Sequence, residues 1–285
     1  MKKQQLGSSQ ISVSELTLGC MSLGTNKNEA ISIIDHALDA GINHLDTADL
    51  YDFGINEDIV GEAIANRREN IILTSKVGNH FNKETKDWYW DPSPQHIEQG
   101  LKASLKRLKT DYIDLYMLHG GTIDDPIDDV IGTFEKLKKE GWIRAYGISS
   151  IRPNVIREYV NRSNIDAVML QYNLLDRRPE EEILHLLNDN NISVLARGPL
   201  AKGMLSNDGA NRIVTKGKDG YLEYELEELK SLYEQISSLL PSSISFQNVA
   251  LNYVLQHPGV TSVVFGTSSV QQLKETIKAY SEGSI

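Results

Sequence analysis

The chain has 285 residues, 29 basic and 39 acidic side chains, and a formal net charge of −10. This charge argues against a nucleic-acid partner held by bulk electrostatics. The single cysteine, Cys20, excludes an intrachain disulfide and a cysteine-based metal cluster. The residues after Met1 are polar, and the sequence has no run of about 18 apolar residues. We therefore expect a cytoplasmic protein that binds neither nucleic acid nor a membrane.

The predicted elements alternate along the chain, after a short β-hairpin expected within residues 5–14. Eight apolar, β-rich runs follow, at residues 16–19, 44–47, 71–76, 113–119, 143–149, 167–171, 193–197 and 261–266. Helical patterns occupy residues 28–40, 57–67, 94–108, 127–139, 155–162, 181–188, 224–240, 247–256 and 270–280. A strand followed by a helix, repeated eight times, predicts an α/β fold, a (β/α)8 TIM barrel forming one domain over residues 1–285. Residues 206–221, rich in Gly, Asn and Asp, are predicted to be a long loop over one end of the barrel.

Polar residues stand at the carboxyl ends of the predicted strands, where barrels of this kind carry their chemistry. They should ring one mouth of the barrel. The set comprises Cys20, Asp46, Lys76, His119, Ser149, Ser150, Gln171, Asn173, Arg197, Thr267 and Ser268.

Four residues from this region make chemical sense together. Each also has an ordinary reading: Asp46 as a turn cap, Lys76 as a snorkelling surface lysine, His119 as a packing residue and Tyr51 as a loop anchor. However, Asp46, Lys76 and His119 come from neighbouring strands, with Tyr51 on the loop above. A phenol has a pKa of about 10, which a nearby ammonium lowers by roughly 1–3 units. The sequence thus predicts a tyrosine acid tuned by Lys76, with Asp46 holding Lys76 charged and His119 binding a carbonyl oxygen.

Longer strings of residues resemble the aldo-keto reductases, closest to their bacterial, potassium-channel-β-like branch. The resemblance lies in LGCMSLG at 18–24, GINHLDTA at 41–48 with Tyr51, TSK at 74–76, DYIDLYMLH at 111–119, GWIRAYGISS at 141–150, QYN at 171–173 and GPLAKG at 198–203. It implies reduction of an aldehyde or ketone to an alcohol by hydride from NADPH, with NADH as the alternative cofactor. It also implies Asp46, Tyr51, Lys76 and His119 as the catalytic tetrad, with Tyr51 as the proton donor, and no metal. The expected partner is a small carbonyl substrate, and the expected state is a monomer.

The same resemblance implies the cofactor contacts. Ser149, Ser150 and Gln171 match positions that hold the nicotinamide carboxamide. The remaining expected cofactor residues are Cys20, Met21, Asp46, Arg197, Gly198, Pro199, Leu200, Lys202, Gly203, Gly266, Thr267, Ser268 and Gln272.

Three departures from the family pattern affect these expectations. Arg197 replaces a common aromatic residue, and a guanidinium stacks on the nicotinamide or contacts the pyrophosphate instead. The segment 266–272 lacks the basic residue that commonly pairs with the 2′-phosphate, which keeps NADH open. His119-Gly120-Gly121 replaces bulkier residues and is expected to widen the pocket beside the histidine.

Two further features carry alternatives. Trp88 and Trp90 lie in a predicted loop, either as an aromatic wall of the substrate pocket or as a surface cluster. Asp49 is interpreted as a loop or helix-capping carboxylate. Two other functions stay open: a nucleotide-sensing regulatory subunit, and an aldolase forming a Schiff base at Lys76.

Overall fold

The computed structural model describes residues 1–282, so the predicted domain end at residue 285 lies outside the described residues. Its strands are β1 (Lys3–Gln5), β2 (Ser12–Ser14), β3 (Leu16–Gly19), β4 (His44–Asp46), β5 (Ile72–Val77), β6 (Asn79–Phe81), β7 (Trp88–Trp90), β8 (Ile113–Leu118), β9 (Ile143–Ser149), β10 (Ala167–Gln171), β11 (Ser193–Arg197) and β12 (Val260–Gly266). Its α-helices are α1 (Lys27–Asp39), α2 (Ile55–Ile64), α3 (Pro94–Leu108), α4 (Ile127–Lys139), α5 (Pro153–Arg162), α6 (Ile183–Asp189), α7 (Gly209–Lys216), α8 (Leu226–Leu239), α9 (Phe246–Leu255) and α10 (Val270–Ser281).

Eight parallel strands close into a barrel in the order β3-β4-β5-β8-β9-β10-β11-β12, and β12 pairs back onto β3. Side chains alternate along each strand between the barrel interior and the helices. On β8, Leu115 and Met117 join the interior cluster, whereas Tyr116 and Leu118 join the cluster shared with the helices. The predicted (β/α)8 barrel is confirmed.

The predicted N-terminal hairpin is also confirmed, as antiparallel β1 and β2. It closes the amino-terminal end of the barrel, because Leu6, Ile11 and Val13 are buried in the interior cluster. Gly7 permits this approach: it has a φ of +53°, and a Cβ there would lie 2.2 Å from the Asp166 carbonyl oxygen.

A buried polar chain crosses the barrel near the hairpin. The Ser262 hydroxyl donates to the Ser14 carbonyl at 2.7 Å, so the Thr17 hydroxyl must donate to Ser262. Thr17 then accepts from Nδ1 of His44 at 2.8 Å, and Nε2 of His44 accepts from Thr74 at 2.7 Å. Each hydroxyl has one proton, so the chain fixes a single tautomer of His44. Burial, with Lys76 as a smaller contribution, lowers the pKa of His44 to about 3, and the ring is neutral.

Two predicted loops are wrong. Residues 206–221 contain helix α7, whose Ile213 packs with Met204 and Leu229. A helix of eight residues that buries one large apolar side chain shows little periodicity, which explains the error. Residues 88–90 form β7, which pairs antiparallel with β6. The turn between them is built by Asn82, whose side chain accepts from the backbone N–H groups of Glu84 and Thr85.

Candidate active site

Lys76 lies at the centre of the predicted site and is fully buried. Its ammonium is 2.7 Å from Oδ1 of Asp46, and it donates to the Tyr51 oxygen at 3.2 Å and to the Thr47 carbonyl at 2.8 Å. An ammonium has no lone pair and accepts no hydrogen bond. The Tyr51 oxygen therefore accepts from Lys76, and the proton of the phenol is free to point elsewhere.

Neighbouring strands bring these groups together. Asp46 ends β4, Lys76 lies near the end of β5, and His119 directly follows β8. The loop after β4 runs alongside β5. The backbone N–H of Thr47 donates to the Thr74 carbonyl, and the backbone N–H of Asp49 donates to the Lys76 carbonyl. Tyr51 then opens a tight turn in which Asp52 and Phe53 have φ values of +48° and +53°.

The charge of Lys76 is stabilised by its neighbours. Burial lowers its pKa, but Asp46 and Tyr51 more than offset that effect, and the net pKa is raised. Tyr51 behaves differently from the sequence-based expectation. Burial raises the pKa of Tyr51, and the opposing effect of Lys76 is smaller. The expected lowering of this pKa is wrong in this structure, because the low-dielectric surroundings penalise the phenolate more than the ammonium stabilises it.

His119 lies across from Tyr51, with the ring centroids 5.8 Å apart and the planes at 83°. Burial, with contributions from Lys76 and Arg197, lowers the pKa of His119 to about 3. The imidazole is therefore neutral at physiological pH. Its Nδ1 has no hydrogen-bond partner within residues 1–282.

A groove of about 1120 Å³ runs from these residues across the carboxyl end of the barrel. Most of the predicted cofactor residues line it: Met21, Asp46, Ser149, Ser150, Gln171, Arg197, Gly198, Pro199, Leu200, Lys202, Gly203, Gly266, Thr267, Ser268 and Gln272. Cys20 does not. It is fully buried behind the groove with its thiol directed at the Leu18 carbonyl, and burial raises its pKa.

Sequence reasoning missed several groove residues. Arg152 follows β9 and Arg212 lies on α7, and both add positive charge to the groove. Glu275 on α10 adds a carboxylate at the end formed by residues 266–272. Arg152 comes two residues after Ser150 in the sequence, and this position at the end of a predicted strand could have indicated that it lines the groove. Arg212 was hidden by the incorrect loop prediction.

The two tryptophans occupy different environments, and neither lines the groove. Trp88 is 57% exposed. Trp90 donates from Nε1 to Asp125 at 2.9 Å and packs against the backbone beside His119. A Cβ at Gly78 would lie 2.5 Å from its ring, and one at Gly120 would lie 3.4 Å away. Trp90 thus packs against the side of Gly120, where the sequence predicted a wider pocket.

Asp49 is not a helix cap, because neither the turn at Tyr51 nor α2 has a side-chain cap hydrogen bond. It is 2% exposed and close to Glu57, which is itself held by Ser75 and Arg107. Burial and the Glu57 charge raise the pKa of Asp49 well above its usual range. The loop alternative is correct, because Asp49 lies between β4 and the turn at Tyr51, whereas the helix-capping alternative is wrong.

The family model described as "Aldo/keto reductase family" matches residues 15–283. The chain belongs to this family, whose members are oxidoreductases that act on carbonyl compounds with a nicotinamide cofactor.

The relatives and solved structures agree with this class. A Bacillus subtilis protein, uncharacterized oxidoreductase YqkF, is 54% identical over 98% of this chain and 91% of its own length. An Escherichia coli protein, NADH-specific methylglyoxal reductase, is 31% identical over 98% and 93% respectively. The holo structure of aldo-keto reductase AKR11C1 from Bacillus halodurans has a TM-score of 0.94 and 52% identity, covering 100% of this chain and 92% of that one. Among residues 1–282, no helix is long and apolar enough to cross a membrane.

Proposed function

We propose that this chain reduces an aldehyde or ketone to an alcohol at the expense of a reduced nicotinamide cofactor, with Tyr51 as the proton donor. The observation that carries the proposal is the hydrogen bond from the Lys76 ammonium to the Tyr51 oxygen. That bond leaves the phenol proton available to a substrate oxygen and places a positive charge where the phenolate would develop.

Each of the other groups has a role in this proposal. The bound cofactor supplies the hydride. Asp46 keeps Lys76 protonated and oriented, since their atoms lie 2.7 Å apart. Neutral His119 faces Tyr51 and supplies a hydrogen bond to the carbonyl oxygen without competing as a charged acid. Raised by burial, the pKa of Tyr51 keeps the phenol protonated, and proton transfer is assisted by Lys76 as the substrate oxygen gains charge.

The groove suits an extended dinucleotide. Its lining includes the cationic side chains of Arg197 and Lys202, which match a pyrophosphate in charge. Gly198 and Gly203 there have φ values of +67° and +91°, a backbone that favours glycine and lets a ligand approach closely. Next to the tetrad, Gln171 and Ser149 offer amide and hydroxyl groups for the carboxamide.

The cofactor is proposed to be NADPH, with NADH as the alternative. Arg212 offers a cation for a 2′-phosphate, whereas Glu275 repels one, and both line the groove. Gln272 accepts from both the backbone and the hydroxyl of Ser268, which organises the adenosine end. The ratio of kcat/KM for NADPH and NADH with one aldehyde decides the preference.

Two other readings receive less support. A Schiff-base lysine needs a free amine, whereas Lys76 has a raised pKa, is ion-paired with Asp46 and donates two hydrogen bonds. No structural feature within residues 1–282 favours a purely sensing role.

The test is Tyr51→Phe. We expect kcat with an aromatic aldehyde to fall at least 100-fold, because the proton donor is lost. The cofactor dissociation constant, measured by quenching of protein fluorescence, should change less than threefold. Retained reductase activity would assign proton donation to another group.

A further inference from the structure

A cluster of two histidines and one aspartate lies outside the groove. His80 belongs to β6, Asp91 directly follows β7, and His96 lies in the first turn of α3. Each offers one ligand atom, and the three atoms lie within 4.8 Å of one another. In a tetrahedral zinc site with bonds of about 2.0–2.2 Å, neighbouring ligand atoms are about 3.4 Å apart. To share one ion, the three atoms must therefore move closer together, from within 4.8 Å of one another to about 3.4 Å.

Two of the three ligands are held in place by the amino-terminal cap of α3. Ser93 donates from its backbone to Oδ1 of Asp91 at 3.1 Å, and its hydroxyl accepts from the backbone of His96 at 3.2 Å. The cap thus fixes the backbone beneath both side chains. Nε2 of His96 is enclosed and has no hydrogen-bond partner within residues 1–282. Enclosed polar atoms without a partner are rare in folded proteins, and this one requires an explanation.

His80 is the movable member of the cluster. Its ring stacks on Tyr89 at 4.8 Å and on His96 at 4.9 Å, and its Nδ1 is 3.6 Å from Oδ2 of Asp91. The lone pairs of stacked imidazoles lie in parallel planes. One of the two rings must therefore turn before a nitrogen of each points at the same metal ion. The His80 side chain is 48% exposed, so we assign the turn to His80, which would leave its stacking contacts with Tyr89 and His96.

We propose that His80, Asp91 and His96 form a binding site for a divalent transition-metal ion, with Zn²⁺ the best match. Two imidazoles and one carboxylate, without a thiolate, suit Zn²⁺ better than Ca²⁺ or Mg²⁺, which prefer oxygen ligands. Three protein ligands leave a fourth position for water. This site adds a metal where the sequence predicted none, because its ligands lie on three separate segments.

The ion would tie the hairpin to the helix. His80 and Asp91 flank the β6–β7 turn, and His96 anchors both to α3. The intervening tip, residues 82–87, is exposed and includes Lys83 and Lys86. A metal bridge across the base of this turn restrains the tip. Trp90, beside Asp91, would be held by the same bridge.

Binding is tested on the full chain after chelator treatment. Calorimetric titration with Zn²⁺ alone should give one ion per chain, and titration with Co²⁺ should give a visible absorption band. His96→Gln and Asp91→Asn should each weaken binding at least tenfold, with unchanged far-ultraviolet circular dichroism. The matched control is His185→Gln. It removes a histidine from a second histidine pair, His185 and His257, whose ring centroids are 5.7 Å apart. This variant should bind Zn²⁺ as the wild type does. No binding, or equal binding by all variants (an adventitious ion only), would overturn the proposal.

A second measurement reports on the location of the ion. Trypsin cleavage after Lys83 or Lys86 should slow at least threefold when Zn²⁺ is added to the wild type. In His80→Gln and Asp91→Asn, Zn²⁺ should leave the cleavage rate unchanged. Equal protection of these variants would place the ion elsewhere and refute the site. Neither measurement depends on reductase turnover, so its outcome is separate from that of the proposed function.

Discussion

The ion pair between Lys76 and Asp46 contributes both to the stability of the folded chain and to the proposed proton donation by Tyr51. Their ion pair is almost completely buried, with side-chain exposures of 0% and 3%. Loss of one partner strands the other charge in a low-dielectric interior, whereas loss of both removes the problem. The two functions of the pair are therefore separable by a double substitution.

We predict that Lys76→Met lowers the free energy of unfolding by about 3–5 kcal/mol, because Asp46 is left unpaired. Lys76→Met combined with Asp46→Asn should recover most of that loss. Reductase activity should stay at least 100-fold below wild type in both, since Tyr51 has lost its ammonium neighbour. Urea denaturation and aldehyde turnover measure the two effects. Activity restored along with stability would remove Lys76 from the proposed mechanism.

At the scale of elements, the β6–β7 hairpin packs next to His119 through Trp90, although its residues do not line the groove. Trp90 connects the two through its packing on Gly78 and Gly120 and its hydrogen bond to Asp125. Asp125 in turn accepts from the backbone and hydroxyl of Thr122. The tryptophan thus links the hairpin to the loop that follows β8.

We expect Trp90→Ala to raise KM for aromatic aldehydes several-fold more than KM for small aldehydes, because the backbone around Gly120 loses its apolar support. Trp88→Ala is the control, since Trp88 is largely exposed and makes no such contact. Steady-state kinetics over a series of aldehydes measures both variants. Equal changes across the series, or equal effects of the two substitutions, would contradict a role of Trp90 in supporting the backbone around Gly120.

The strands, and the convergence of Asp46, Lys76 and His119 at one end of the barrel, were predictable because both follow local rules. Apolar runs define the strands, and Asp46, Lys76 and His119 stand where adjacent runs end. What failed depended on contacts distant in sequence. Helix α7 is stabilised by packing of Ile213 on Leu229, the Trp90 environment is set by Gly120, and the raised pKa of Tyr51 comes from burial by the whole barrel. None of these contacts has a signature in residue spacing.

At the scale of the molecule, the polar chain through His44 joins five strands, β2, β12, β3, β4 and β5, near the base of the barrel. Its members Thr17, Thr74 and Ser262 are fully buried. Replacement of His44 by Leu leaves the Thr74 hydroxyl without its acceptor, at a cost of about 1–3 kcal/mol. Thr74→Val removes that donor, so His44→Leu with Thr74→Val should be less destabilised than the sum of the two single changes.

The lowered pKa of His44 indicates how the free energy of unfolding depends on pH. The pKa of His44 is about 3 in the folded chain, against an ordinary value of 6.5, so the unfolded state binds the proton more readily. Its contribution to stability is therefore fully present above pH 6.5 and declines as the pH falls toward 3. Between pH 7 and pH 5, His44 should account for a loss of about 2 kcal/mol in the free energy of unfolding. Urea titrations at the two pH values should show a loss smaller by that amount in His44→Leu than in the wild type.

His36→Leu is the control, because His36 is exposed on α1 and the substitution should leave the difference between the two pH values intact. An unchanged pH dependence in His44→Leu would mean that the buried histidine does not drive acid destabilisation.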